Sequence, residues 1–429
     1  MNRLGLILVV GVVCGLVGLC LADWPQFQGP NRDGVSTETV KLADAWPADG
    51  PKLLWKNAKL GKGYGGAVVE GGKIYIMDRV ADKQDVLRCL TLATGEEEWN
   101  FAYDAVGADG KGTYKGNYNG SRNHPAVDDK NVYVIGPFGH VNAVSKETHK
   151  SIWSANLVAD YDATISNWGF CQNPTLYKNT MIVAPLSKKA GIVALDKATG
   201  KEVWKTDKLG DIAWTSPMAV TIEGVDVIAM LHTRDKPRFS CLDAATGKEL
   251  VRYSNWKCPN PIASQIYCGD GKFFITGGYG AGCAMVQVKK GDPWKAEELF
   301  VNKDCGSWAV NAILFKGNIY ANSNDVDKAT KKGNGLMCMD LAGKVVWTTG
   351  NEDVEDVGGI TIADGKLFRF FSNKNIMTMA AASPDGYKEL GRFEVGAGTN
   401  NWAPIVVTDG KLLLRIRDTM YCYDVSAGK

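Results

Sequence analysis

A chain of 429 residues is too long for one ordinary hydrophobic core unless an architecture is extended by repetition. Its 45% hydrophobic and 22% charged residues exclude a disordered or low-complexity protein, and 49 Gly with 15 Pro call for many turns. With 49 basic residues against 47 acidic ones, no net field steers the chain to nucleic acid or to an anionic membrane.

The first element is apolar. Met1-Asn2-Arg3 is a short basic start, and Leu4 to Ala22 is an uncharged run ending "CLA" before Asp23, as in a secretory signal with small residues at its cleavage site. The expectation is a signal peptide over 1–22 and an exported protein, periplasmic or extracellular, with no membrane span once the signal is removed. If the run is retained it is long enough to anchor the protein in a membrane. A lipid-modified Cys20 is a third reading, which bulky Leu19 fits poorly. Residues 23–50 read as an irregular N-terminal arm, and "PKLLWKN" at 51–57 is a strand ending in Trp that has no unit of its own.

From there the chain repeats itself. "ALDKATGKEVW" from Ala194 is echoed by "CLTLATGEEEW" from Cys89, "CLDAATGKELV" from Cys241, "CMDLAGKVVW" from Cys338 and "CYDVSAGK" from Cys422. The motif ends at Trp99, Trp153, Trp204, Val251 and Trp347 lie 54, 51, 47 and 96 residues apart, the last gap being two periods. A period near fifty with Val, Ile, Tyr and Phe in short runs between Gly, Asn and Asp turns predicts a propeller. Units begin near Gly65, His124, Asn173, Ser216, Asn260, Asn311, Gly359 and Ala403. The predicted fold is therefore all-β: an eight-bladed β-propeller of four-stranded antiparallel blades over 51–429. The eighth unit lacks its last strand, and strand 51–57 supplies it, closing the ring and removing its sheet edges. Seven closed blades with an outlying sheet is the alternative that the strand count disfavours.

The motif has a physical reading. Asp196 and Thr199 hydrogen-bond the turn, Gly200 supplies a positive φ, and the Trp204 indole lies across the junction to a neighbouring blade. Cys89, Cys241, Cys338 and Cys422 share one position of the repeat and read as small buried hydrophobes. Cys258, Cys268, Cys283 and Cys305 crowd one region where a bridge is conceivable in an oxidising compartment. No C-x-x-C and no adjacent cysteines occur.

On these residues the chain resembles the pyrroloquinoline-quinone-like repeat propellers, the superfamily of quinoprotein alcohol dehydrogenases and of the propeller subunit of the outer-membrane barrel assembly machinery. The opening "DWPQFQGPNRDGVS" with "WPADGPKLLWK" is similar to the start of exported bacterial propellers of that superfamily. The resemblance covers nearly the whole chain beyond the signal and implies fold more than activity. In its alcohol-oxidising members it implies pyrroloquinoline quinone (PQQ) over a disulfide of adjacent cysteines, with calcium beside a catalytic carboxylate; the adjacent pair is missing here, and the calcium ligands find no match.

Other chemical signatures are weak. The histidines His124, His140, His149 and His232 lack close metal-ligand spacing, and neither H-E-x-x-H nor G-x-S-x-G occurs. "GGYGAGCAM" at 277–285 leads into a strand, so it reads as close packing and not as a phosphate loop. "NEDVEDV" at 351–357 and "KATKKGN" at 328–334 read as solvated loops, the first with cation binding as its alternative. What stands out is a second set of aromatics ahead of the first strands: Trp168, Trp214, Trp308 and Trp402, with Tyr64 in the first unit. Equivalent repeat positions map to equivalent points on a ring, so these loops surround one mouth of the channel. With Arg122, Asn123, His124, Asn167, Asn311 and Asn401 they form a candidate ligand-binding mouth for a sugar, a peptide or a flat ligand; the plainer reading is that the indoles plug the channel. The insertion "GADGKGTYKGNYNG" at 107–120 is long enough to fold over that mouth.

The expected function is an exported, non-catalytic propeller, a monomer without cofactor, presenting a rigid surface to a protein or glycan partner in the cell envelope. The alternative is a PQQ-dependent oxidoreductase of alcohols or sugars. A third reading, a hydrolase or lyase at the mouth, rests on His124 and Arg122.

Overall fold

The computed structural model describes residues 22–107, 109–116, 119–211, 213–232, 238–324, 333–350, 356–396 and 401–428. Eight four-stranded antiparallel sheets follow one another in chain order, each built from consecutive strands except the last. In that sheet Leu53–Asn57 pairs antiparallel with Thr419–Asp424, so the strand without a unit closes the ring. The innermost strands are short: Val68–Glu70, Ala126–Val127, Thr175–Tyr177, Met218–Ile222, Ile266–Tyr267, Ile313–Phe315, Ile360–Ala363 and Val406–Thr408. The described helix is a single five-residue piece, Leu157–Tyr161, and no described helix is long and apolar enough to cross a membrane.

The repeated motif fastens blades at their outer strands. The Asp196 carboxylate accepts from the Ala198 and Thr199 N–H groups and from the Thr199 hydroxyl, and Gly200 sits at φ +71°. The indole lying over Gly200 is that of Trp153, from the preceding blade: a Cβ at Gly200 would stand 2.6 Å from that ring. Trp153 Nε1 donates to the Lys197 carbonyl at 2.8 Å, and Trp204 repeats the contact one blade on, donating to the Ala244 carbonyl at 3.2 Å. The tryptophan therefore reaches forward, and a flat ring needs the flat, left-handed glycine beneath it. Where His149 replaces the glycine, it also takes a positive φ, and its imidazole stacks on Trp99 at 4.7 Å. Cys89, Cys241, Cys338 and Cys422 lie across the strand pair from Trp99, Val251, Trp347 and Trp55 and are buried. All nine cysteines among the described residues are free thiols, including Cys258, Cys268, Cys283 and Cys305.

Ring closure adds a buried charge. Arg415 of the last blade donates to Asp78 of the first at 2.6 Å, and to the carbonyls of Gly61, Gly65, Met77 and Arg417. Full pairing of this kind is what makes a charge tolerable inside a protein.

The N-terminal arm is more than a lead-in. It crosses the channel beneath the inner strands: Trp24 bridges Val69, the Pro25 carbonyl accepts from Val127 N–H, and Arg32 donates to the Pro174 carbonyl and the Thr175 hydroxyl. It then packs Gly34 on Ile313, pairs Val35 with Ile362 and bonds Ser36 to the Val407 carbonyl. Inner strands run away from the mouth, so the arm closes the opposite end, leaving a void of about 10 Å³ beneath Phe27.

Candidate functional site

With one end closed, the channel becomes a well of about 550 Å³ open at the mouth. Its wall is set by a belt of hydrogen bonds at one position of the repeat, two residues ahead of each inner strand. Gly66 N–H donates to His124 Nε2, His124 N–H to Asn173 Oδ1, Asn173 N–H to Ser216 Oγ, Ser216 N–H to Ser264 Oγ, and Ser264 N–H to Asn311 Oδ1, at 2.6–3.0 Å. Each blade's otherwise orphaned backbone donor is thus satisfied by the next blade's side chain. The belt stops after the sixth blade. The corresponding stretches of the seventh and eighth are Gly358-Gly359 and Ala403-Pro404, which carry no polar side chain.

This belt decides the role of His124. Its Nε2 accepts from Gly66, so Nδ1 carries the proton and donates to Asn173 Oδ1 at 3.0 Å. Burial pulls its pKa down to about 4, with nearby Arg415 and Arg32 pushing the same way against the Asn173 bond. A neutral imidazole with both nitrogens engaged is a structural member and not an acid or base in waiting. The hydrolase or lyase reading loses its first residue.

The aromatic set does surround the mouth. Tyr64 and Trp402 stack at 4.5 Å with 16° between planes, and the Arg122 guanidinium lies 4.9 Å from the Trp402 ring and 5.1 Å from Tyr64. Trp168 and Trp214 meet edge to face at 5.3 Å, as do Trp308 and Tyr279 at 5.6 Å. All of these line the well, with Phe27 of the arm as its floor. Asn311 lines it too, at the end of the belt. Asn123, Asn167 and Asn401 do not. Asn123 is fully buried and donates to the Gln172 carbonyl, Asn401 is fully buried and donates to the Arg415 carbonyl, and Asn167 belongs to a neighbouring groove.

That groove, about 620 Å³, shares Trp168 and Trp214 with the well and runs out along Gly107, Asp109 and Thr113 to Lys115 of the insertion, whose Tyr114 packs against Phe138. Phe27, Tyr279, Asn260 and Cys171 are well-lining residues that pattern reading missed. Phe27 sits in the arm, outside the period, and Tyr279 in a glycine-rich turn between second and third strands, away from the position where the other aromatics recur. Burial pushes the Cys171 thiol up to about 11, so it is protonated and not a nucleophile.

No carboxylate lines the well among the described residues, and those residues hold no group of three His, Cys, Asp or Glu suited to a metal. The flat faces fit a planar quinone, but the described wall offers no acidic anchor for its calcium. Asp356 stands behind the wall, fully buried and accepting from the Gly358 and Asn373 N–H groups. The rest of "NEDVEDV" up to residue 355, and residues 328–332 of the basic stretch, lie outside the described residues.

Comparison with known proteins agrees with this architecture. Among solved structures, BamB from Moraxella catarrhalis superposes with a TM-score of 0.60 at 10% identity, over 87% of this chain and 99% of that one. Quinohemoprotein alcohol dehydrogenase from Comamonas testosteroni gives 0.63 at 16% identity, over 95% and 81%. A europium-containing methanol dehydrogenase gives 0.51 at 12%, over 91% and 89%. At such identities the likeness is one of fold. None of the curated proteins matches the sequence. A family model described as outer membrane protein assembly factor BamB matches residues 37–167 and 85–349, most of the chain, and the protein belongs to that family of propellers.

Proposed function

We propose that this chain is an exported binding propeller of the cell envelope that holds a protein or glycan partner at its mouth and performs no chemistry on it. The observation that carries this reading is the lining of the well: among the described residues it is aromatic faces, amides, hydroxyls and Arg122, with one histidine locked neutral in the belt and one protonated thiol. Such a surface recognises by stacking and hydrogen bonding, and lacks the paired acid and base that group transfer requires. Membership of the BamB family supports an envelope setting and a protein-assembly role. The quinone-dependent reading is supported by the superposition on the Comamonas enzyme and by the stacked Tyr64–Trp402 pair. It is the weaker of the two, because the described lining supplies no carboxylate to hold a metal or take a proton.

One experiment separates them. The purified protein is mixed with calcium and pyrroloquinoline quinone, and artificial-dye reduction is followed over a panel of alcohols and sugars. No reduction is expected from folded protein; stoichiometric quinone uptake with substrate-dependent reduction would sink the binding reading.

A further inference from the structure

We infer that the well and its groove receive the end of a saccharide chain, with the terminal sugar seated in the well beside Trp308 and Asn311 and the rest leaving past Trp168. This deepens the binding reading and rests on it.

Three observations point to this ligand. The first is a set of polar atoms with no partner. Trp308 Nε1, Asn311 Nδ2 and Asn260 Oδ1 are buried in the wall of the well and make no hydrogen bond among the described residues. Asn311 is only 9% exposed, and its orphaned amide has a clear origin: in Asn173 the same Nδ2 bonds the next blade's Ser216, whereas Asn311 faces Gly358-Gly359, where the belt has no side chain. Two donors and an acceptor on one side of a well are what a hydroxylated ring satisfies.

The second is aromatic surface at the mouth: Trp168 and Tyr279 are each 37% exposed and line the well, and such flat rings suit the apolar C–H face of a sugar, while buried Tyr64 backs the half-buried Trp402. The third is topology. Phe27 and the arm close the floor, so a polymer cannot thread the channel, and at the open mouth the groove sharing Trp168 and Trp214 continues the path along which the rest of a chain leaves. The well therefore takes a chain end and not an internal segment. Arg122 is the only charged side chain lining the well among the described residues, so a neutral or carboxylated terminal sugar fits there and a cationic one does not; the groove, with Asp109, Lys115 and Asp211, sets no such bar.

The test uses linear neutral oligosaccharides of one to six units (glucans, mannans, xylans and galactans), their uronic-acid and amino-sugar counterparts, and a cyclic glucan. Binding is read by tryptophan fluorescence and calorimetry on the full folded chain. At least one neutral or uronic series should bind, with affinity rising as the chain grows from one unit into the groove and then levelling. The amino sugars and the cyclic glucan should fail. Trp402→Ala should weaken binding at least tenfold. Trp308→Phe keeps an aromatic ring and removes an N–H that has no partner among the described residues, so it should weaken binding several-fold while leaving the urea midpoint unchanged. The inference is overturned if no saccharide binds, if both variants bind as the parent does, if the cyclic glucan binds as well as the linear one, or if a peptide is what occupies the mouth. A protein that ignores every saccharide yet captures an envelope protein through Trp402 would lose this inference and keep the binding reading. Dye reduction with quinone and calcium would instead remove that reading and turn a bound saccharide into a substrate.

Discussion

The outer fasteners and the inner belt both tie blades to their neighbours, the belt over the first six blades only, by different physics. Outside, a flat indole lies on a glycine at positive φ, and Trp55, Trp153 and Trp204 all meet a glycine whose Cβ would fall within 2.4–2.6 Å of the ring. Inside, a backbone N–H meets whatever acceptor the next blade offers, and histidine, asparagine and serine serve in turn. The steric contact needs a flat ring over a residue at positive φ, and it is written Trp on Gly at these three junctions, Trp99 on His149 at another and Phe300 on Gly343 at a fifth. The polar one needs only an acceptor at the right reach, so its letters vary more freely. The belt can also stop where an acceptor is missing, and that break is what leaves unpaired polar atoms in the well.

The comparison can be broken from its rigid side first. Gly200→Val places a branched side chain at φ +71° and against the Trp153 ring. It should destabilise by about 4 kcal/mol, combining left-handed strain with overpacking, read as a lowered urea midpoint. A polar cut is the counterpart. Asn173→Leu strips the acceptor from His124 N–H and Nδ1–H and the donor to Ser216, so buried groups go unpaired at a cost of about 3 kcal/mol. Asn173→Asp should recover part of this, since it keeps the acceptor.

Of these two contacts, the belt is the one that should respond to acid between pH 7 and 4. His124 is neutral in the fold with its pKa near 4, against an ordinary value of 6.5 when unfolded. The unfolded chain therefore binds the proton more readily between those values, so stability is full above pH 6.5, drains as pH falls, and levels near pH 4. The loss is on the order of 3 kcal/mol. His232, buried and drawn down to about 3, adds a parallel loss, so the readout is the difference in urea midpoint between the parent and His124→Asn across pH 7 to 4. The variant should show the shallower fall, while Gly200→Val should keep the parent's slope. The smallest effect sharpens the fastener itself: Trp153→Phe keeps a flat ring on Gly200 and loses only the bond to the Lys197 carbonyl, which should cost about 1 kcal/mol.

Why the fold was legible and the site less so follows from these residues. The alternation of apolar strands and Gly, Asn or Asp turns recurs with the Trp-bearing motif, so eight sheets and a closing strand within 51–57, observed at Leu53–Asn57, could be counted from sequence. Trp168, Trp214, Trp308 and Trp402 were placed at the mouth because ring symmetry carries equivalent positions to equivalent places. The same symmetry misjudged Asn123 and Asn401, which stand beside mouth residues in sequence but turn into the wall to hold the Gln172 and Arg415 carbonyls. Phe27 was beyond reach, because nothing in an aperiodic arm announces that it crosses a channel. Nor did the period reveal that His124 would be spent on its neighbours, since that depends on Gly66 and Asn173 converging from blades 58 residues before and 49 after it.

The arm has one more consequence. Thr408, at the far end of the last inner strand, donates its hydroxyl to the Ala22 carbonyl, and Asp23 accepts from Gly71 in the turn leaving the first inner strand. Residue 22 thus emerges on the face opposite the mouth. Were the preceding apolar stretch to keep the protein at a bilayer, the ring would ride like a cup with its base to the lipid and its opening outward, presented to whatever diffuses past and hidden from the membrane that holds it.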